Sequence, residues 1–599
     1  MPDSEQHIMN NVKKSMTMKN LKNIITCSGL IIVIVFTIYA CDVTSFLDSP
    51  AQGTLSKDVL ANEEGVEGNL ASAYAMLDGY SPEVEGGAEP WPTAASNWVY
   101  GEVAADDAHM GAALWNPGIK ATEFYQWSDA TMDAQLNIKW KSLYGGINRA
   151  NATLELLSEV EGISPVDRDR IKGEAQFLRA HYHFEAWKIW KNVPYITEAD
   201  EDSEKTNIDV NVISKILSDL DGSINLLPQT QSEIGRVTKW TAKAYKGKVQ
   251  VYSKDFDGAL TTLRDVVNNG PYALEDNFWE VFSATNDNGS ETVLAFQASV
   301  NDGDPQGLNG NYVDRLNFPH GGSPFGCCGV FMPSQNLVNA FKVDPSTGLP
   351  QAVVNPNNWN NDDDNFDADE SAPVDPRLDW TTGRDGVPFL DWGKHEPGWI
   401  RARESDGPYS PKKNIYRKST DASSSVGWAN YQLHSKNLHL LRYADVLLLL
   451  AEAEIEASGG SLENARDIVN QIRTRASQAA QGPSDNVIVP INDPSITWAN
   501  YQIGTYDTPW SSKEEARQAV RMERRLELAM EGHRLFDLRR WGEAQNILNN
   551  YVQKEKVRRE YLTGADSYSD KHEVYPIPTL QVELGMIDGE QMIQQNPGW

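Results

Sequence analysis

The chain has 599 residues, 40% of them hydrophobic and 23% charged, which describes a folded globular protein rather than a disordered or fibrous one. Its formal net charge of −31 argues against a nucleic-acid binder, which needs clustered lysines and arginines for the phosphate backbone, and against a basic patch for anionic lipid headgroups. Tryptophan (18) outnumbers phenylalanine (16), an unusual balance, because indole combines a flat apolar face with one N–H and suits places where apolar surface meets a polar partner.

Residues 1–40 read as an address rather than a structural element. Lys19 and Lys22 precede an apolar stretch from Ile24 to Ala40, and Ile38-Tyr39-Ala40-Cys41 closes it. The pattern is that of a bacterial lipoprotein signal peptide, with cleavage before Cys41 and lipidation of its thiol; about 17 apolar residues would be short for a spanning helix. Met18 is the expected start of that signal. Asp42 to Pro50 has no helical period and is expected to be an extended lead-in.

Helical spacing then recurs at about 62–79, 132–160, 167–191, 209–227, 238–269, 438–480 and 513–550. Glu174 to Lys191 carries two apolar stripes, Phe177/Ala180/Phe184/Trp187 and Leu178/Tyr182/Ala186/Ile189, so this helix is expected to be packed on both sides, as in a stack of helical hairpins. Ala242 to Val267 and Ala444 to Ile472 approach the tetratricopeptide (TPR) pattern, with small residues where paired helices come close. The fold class is therefore mainly α. Between the helices lie turn-rich stretches, 81–128 with Trp91, Trp98, Trp115 and Trp127, and 301–430 with Trp359, Trp380, Trp392, Trp399 and Trp428. The second is too long for a structureless loop, and is expected to be a functional insertion of short strands and turns.

Four cysteines make no disulfide framework; adjacent Cys327 and Cys328 are either free thiols or a local disulfide. No zinc spacing, HExxH, P-loop, GxSxG or Rossmann pattern is present, and neither a metal nor a cofactor is expected. The acidic run Asn361 to Glu370 has a calcium-loop register from Asp363 through Asn365 and Asp367. Ala368 then stands where the sharp turn needs glycine, and Val374 where a bidentate glutamate belongs, so a solvated loop is expected. His181 and His183 are two apart on a helix and cannot share a face, so they are expected to be packing histidines. Glu523, Glu527 and Glu531 recur every four residues beside Arg521, Arg524, Arg525 and Arg534. That pattern is expected to be a structural ion lattice rather than the acid pair of a glycoside hydrolase. The loop tryptophans remain as platforms for the apolar faces of sugar rings.

Four ordered motifs resemble those of the SusD/RagB nutrient-uptake outer-membrane lipoproteins. They are Glu174 to Ala180 leading to Asn192-Val193-Pro194-Tyr195-Ile196; Leu441-Arg442-Tyr443-Ala444-Asp445 through Ala453; Glu523-Arg524-Arg525-Leu526-Glu527-Leu528 with Glu531-Gly532-His533-Arg534 and Asp537 to Trp541; and Tyr575-Pro576-Ile577-Pro578 with Gln595 to Trp599. The resemblance implies a SusD-like fold with TPR-like helix pairs supporting an irregular, loop-rich ligand-binding region. In those terms, residues 41–290 are the N-terminal helical region and 291–599 the C-terminal RagB/SusD region with the 301–430 insertion. It implies a lipid-anchored, surface-exposed outer-membrane protein that captures oligosaccharides (peptides in a minority of members) without cleaving them. The ligand then passes to a SusC-like TonB-dependent transporter. The less favoured alternatives are a surface glycoside hydrolase lipoprotein and a TPR-like scaffold for envelope assembly. Because such signatures are scaffold, the ligand residues expected here come from the loops: Trp98, Trp392, Trp399 and Tyr409 as platforms, with Asp107 and Arg401 as polar contacts.

Overall fold

The computed structural model describes residues 60–80, 90–111, 116–201, 205–361, 372–426, 430–478, 480–482, 488–493 and 498–599. The signal segment, Cys41, the extended lead-in, Trp115, Trp428 and Asp362 to Glu370 lie outside them.

The expected helical stack is present. Helix α1 (Glu63–Ala75) leads into the body, where α2 (Ala130–Glu159), α3 (Pro165–Trp190), α4 (Val212–Leu226), α5 (Lys239–Tyr252) and α6 (Phe256–Asn269) pack each against the next. Helix α6 then packs on α7 (Tyr443–Glu456), and α7 on both α8 (Leu462–Ala476) and α9 (Lys513–Leu528). Polar residues at the helix starts set the boundaries. The side chains of Asp129, Ser164, Asn211, Asp255, Ser461 and Ser512 each accept a first-turn N–H, and Thr238 forms a reciprocal capping box with Thr241. Each such cap contributes about 1 kcal/mol. The two-striped reading of α3 holds: Phe177, Leu178, Ala180, Phe184, Ala186 and Ile189 are all fully buried, between α2 on one side and α4 on the other.

The TPR-like hairpin expected at 242–267 is present as α5 and α6, turning at Ser253-Lys254-Asp255, where Lys254 takes φ +65° and Asp255 starts the next helix. Two other expected helical runs are divided. The 438–480 run opens as a strand, Leu438–Arg442, paired antiparallel with Thr292–Phe296, before α7 and α8. The 513–550 run breaks after α9 into α10 (Arg534–Trp541) and α11 (Ala544–Arg558). At that break Gly532 has φ +82° and a Cβ there would lie 1.7 Å from the Ser96 carbonyl oxygen, so only glycine fits.

Glu523 and Glu527 of α9, with Glu531 in the turn just after it, form an ion lattice, but not with the arginines next to them in sequence. Glu523 pairs with Arg377 (2.7 Å) and Arg473 (2.9 Å). Glu527 pairs with Arg442 (2.7 Å), Arg377 (3.0 Å) and Arg475, and Glu531 with Lys413 (2.7 Å) and Arg442 (2.8 Å). The neighbouring arginines turn elsewhere: Arg524 to Asp445 (2.8 Å) and Asp537 (3.0 Å), Arg525 to Asp107 and Arg534 to Asp106 (both 2.7 Å), and Arg521 to Glu543 (3.5 Å). Burial pushes the Glu531 carboxyl up, but Arg442 and Lys413 outweigh it and hold it down at about 2. Helix α9 thereby fastens the 375–377 turn, the strand before α7, and α8 to one axis.

The 301–430 region contains short strands and 3₁₀ turns and shares an aromatic core with the Phe278–Phe282 turn, in which Trp279 and Trp380 stack at 5.5 Å beside Phe318, Phe389 and Tyr416. Cys327 and Cys328 form a disulfide with each other.

Candidate functional site

Where α1 gives out, Met76-Leu77-Asp78 forms a 3₁₀ turn and Gly79 reverses the chain with φ +97°. A Cβ at Gly79 would stand 2.0 Å from the Thr93 carbonyl oxygen, so the reversal requires glycine. Asp78 fixes the next residue by accepting the Tyr80 N–H at 2.7 Å. Burial, with the nearby Asp314 charge adding to it, pushes the Asp78 carboxyl up to about 8, which makes it largely neutral at pH 7. Tyr80 is thereby held with its ring stacked on Tyr312, centroids 4.6 Å apart and planes 19° apart. The buried Arg315 guanidinium lies 4.4 Å from the Tyr312 centroid. Both tyrosines are half-buried, so the pair keeps exposed ring surface.

Tyr80 borders a cleft of about 630 Å³ whose other walls include Tyr74, Asp78, Arg149, Gln297 and Asp302. That volume suits a small organic ligand or a short oligomer. Tyr74 is set by donating its hydroxyl proton to Glu174 (2.6 Å) while accepting the Val237 N–H (3.1 Å). The opposite rim, residues 299–309, is closed on itself: Ser299 N–H donates to the Asn309 carbonyl (2.7 Å), and the Asn309 amide to Asp302 (2.8 Å). A stacked aromatic pair beside fixed amides and carboxylates can bind a ligand that offers an apolar ring face edged with hydroxyls.

The six residues expected to bind ligand do not converge. Trp98 is 1% exposed and packs on Phe331 at 5.4 Å; a ring with no open face cannot serve as a stacking platform. Asp107, also 1% exposed, is consumed by Arg525. Trp399 lies in the aromatic core against Phe389 (5.3 Å), and buried Tyr409 donates its hydroxyl to Gln335 (3.3 Å). Only Trp392, half-buried with its N–H donated to the Tyr416 carbonyl (2.7 Å), and exposed Arg401 reach the surface. Trp392 meets Tyr431 edge-on at 6.1 Å. The residues the sequence reading missed, Tyr80, Tyr312 and Arg315, carry one local signal: Tyr80 directly follows Asp78-Gly79, a helix-ending pair at the mouth of an aromatic loop.

The remaining chemistry candidates are structural. His181 contacts the Tyr245 hydroxyl (2.8 Å), while His183 contacts the Arg179 carbonyl (2.9 Å) and accepts the Ile196 N–H (3.0 Å). Burial lowers both, to about 4 and about 3. Glu523 and Glu527 are fully buried within the lattice, so this pair does not face a cleft. Among the described residues no group of three or more His, Cys, Asp or Glu is placed to hold a metal ion, and no helix is long and apolar enough to cross a membrane.

A stacked array of helical hairpins supporting an aromatic, loop-built cleft defines a TPR-like carrier of an irregular binding region. The chain belongs to the SusD family, whose description matches residues 290–599; a second family, described as starch-binding associating with outer membrane, matches residues 70–251. SusD-like protein P25 of Formosa agariphila is 24% identical over 585 residues, spanning 93% of this chain and 97% of that protein. Among solved structures, a laminarin binding SusD-like protein superimposes with a TM-score of 0.60 at 23% identity, covering 90% of this chain and all of that one. Surface glycan-binding protein A from Bacteroides thetaiotaomicron, in complex with laminarihexaose, does so at 0.58 and 19%, covering 89% and 99%.

Proposed function

We propose that this protein is a non-enzymatic glycan-capture lipoprotein of the outer-membrane surface. It is anchored through Cys41 and delivers oligosaccharides to a SusC-like TonB-dependent transporter. The observation that carries the reading is the Tyr80–Tyr312 stack at the edge of a largely apolar cleft with a few polar side chains in its walls. Pyranose rings have apolar C–H faces that rest on such rings, while their hydroxyls meet amides and carboxylates such as Gln297 and Asp302. The names of the relatives, laminarin-binding and glycan-binding, point to the same ligand class. Tyr80 and Tyr312 are the platforms in this reading, Arg315 holds Tyr312, and Trp392 with Arg401 supplies a separate surface contact. A non-enzymatic role is in keeping with the burial of Glu523 and Glu527 in pairs with arginines.

The test is calorimetry of the soluble chain from Asp42 against laminarihexaose and a panel of plant, host and microbial polysaccharides, with product analysis on the same mixtures. Saturable binding without new reducing ends is expected. New reducing ends would make the protein a hydrolase, and binding of peptides in place of every glycan would move it to the peptide-binding minority.

A further inference from the structure

A second cleft, of about 600 Å³, opens where three helices end: α3 at Trp190, α5 at Tyr252 and α10 at Trp541. It is well separated from the aromatic cleft. Glu174, which holds Tyr74 there, lies seventeen residues before Lys191 along α3, roughly 25 Å at the helical rise. In a chain of net charge −31, this cleft is lined by five cations, Lys188, Lys191, Lys254, Arg539 and Arg540, against one carboxylate, Glu573.

Two of the cations are spent. Lys188 pairs with Glu185 (2.8 Å), and Arg540 with Asp537 (2.8 Å) and Glu452. Lys191, Lys254 and Arg539 have no carboxylate within 4.0 Å among the described residues. Lys254 is exposed, and Lys191 sits over the Trp187 ring, its Nζ 3.2 Å from the centroid, with its backbone at φ +58°. The Arg539 guanidinium is fixed from several sides. Nε donates to the Tyr568 hydroxyl (3.1 Å), Nη2 to the His572 carbonyl, and its carbon lies 4.6 Å from the Tyr575 centroid. Its residue is 8% exposed, yet Nη1 has no hydrogen-bond partner, and Nη2 of Arg540 has none either.

Helix C-termini carry partial negative charge and attract cations, which accounts for some of this clustering. It does not provide an acceptor for two guanidinium nitrogens, and buried donors of that kind are seldom left unmade. An oxyanion matches a fixed guanidinium flanked by ammonium groups, since carboxylate, sulfate and phosphate all accept the guanidinium fork. Trp187 and Phe536 line the same cleft and give an apolar wall to whatever carries the anion.

We propose that this cleft is an oxyanion-binding site, formed by Lys191, Lys254 and Arg539, that takes a sulfate, phosphate or carboxylate group as a free ion or on a small ligand. The Arg539 side chain supplies direction and exposed Lys254 supplies charge; burial and the neighbouring Arg539 disfavour the Lys191 ammonium, which an anion in the cleft would favour again. The site stands independently of the glycan-capture reading.

The experiment is calorimetry and thermal unfolding of the soluble chain from Asp42 with sodium sulfate, inorganic phosphate and sodium glucuronate, each matched in ionic strength with sodium chloride. Sulfate stabilises most proteins generally, so the reading rests on the saturable part of the response. Saturable binding is expected in the wild type, weakened at least tenfold in Arg539→Gln and in Lys191→Met/Lys254→Gln, the second keeping the buried guanidinium in case the first variant does not fold. Tighter binding of glucuronate than of sulfate would identify an acidic saccharide as the source, and the reverse order an inorganic ion or ester. No saturable response in the wild type, or equal affinity in every folded variant, overturns the proposal.

Discussion

Replacing Tyr312 with alanine tests the proposed glycan surface most directly. A pyranose resting on the ring covers roughly 60–80 Å² of apolar surface, which at about 25 cal/mol per Å² is about 1.5–2 kcal/mol. The substitution also removes the partner of Tyr80, 4.6 Å away at 19°, and an offset aromatic pair is worth about 0.5–1.5 kcal/mol beyond its area. With the surviving ring free to turn, the expected loss is about 2–3 kcal/mol, roughly 30- to 150-fold in Kd. Because each ring holds the other, Tyr80→Ala should cost a similar amount, and the double variant should fall short of the sum by about 1 kcal/mol. The assay is calorimetry with the tightest oligosaccharide of the panel, beside urea unfolding; both tyrosines are half-buried, so the folded state should survive each change. A Kd within twofold of wild type for Tyr312→Ala, with the fold intact, would refute the assignment, and strict additivity would show that the rings act separately.

Glu527→Gln should destabilise the protein by about 3 kcal/mol, the lower end for breaking a buried ion pair, because Arg377, Arg442 and Arg475 each retain another carboxylate; a change below 1 kcal/mol in urea unfolding would count against the lattice. The lattice also sets an acid limit. Glu531 is held at about 2 when folded and returns to the ordinary carboxylate range when unfolded, so its stabilisation is complete above about pH 4.5 and is lost as pH falls toward 2. Unfolding midpoints measured from pH 7 to pH 3 should drop steeply below pH 4.5, and a flat profile would contradict the assignment. Trp98→Ala should cost about 3–5 kcal/mol by emptying a core position; a near-wild-type melting temperature with binding lost would instead restore Trp98 as a platform.

Much of the scaffold was legible because burial on two faces imposes apolar residues at helical spacing, as in α3, and because capping residues mark the starts. What failed was punctuation. The strand at Leu438 to Arg442 carries enough leucine to pass for the first turn of the helix that follows it, and the turn at Met530 to Gly532 is hidden among charged residues that serve the lattice. The lattice itself was right in kind and wrong in partners. Spacing along α9 brings its own arginines to notice, but Glu523 and Glu527 take theirs from the 377 turn, the strand before α7, and α8. The site was the least legible part. A count of tryptophans marks residues with large apolar surface, and burial claims such residues first, as it did Trp98 and Trp399. The phenol keeps a hydroxyl for water, so tyrosine was left at the rim, and no local pattern joins Tyr80 to Tyr312.

The pairing of Asp106 with Arg534 and of Asp107 with Arg525 links residues 428 and 418 positions apart. During synthesis, the π-helical turn that begins at Trp98 and carries these aspartates toward the interior must wait for the last quarter of the chain. Until then its acids have no cations, and their burial would cost more than it returns. Closure of so long a loop makes folding slow. A nascent or translocating chain should therefore remain open at its front until its rear arrives, which leaves the α2–α3 hairpin, built on local contacts, as the natural first foothold.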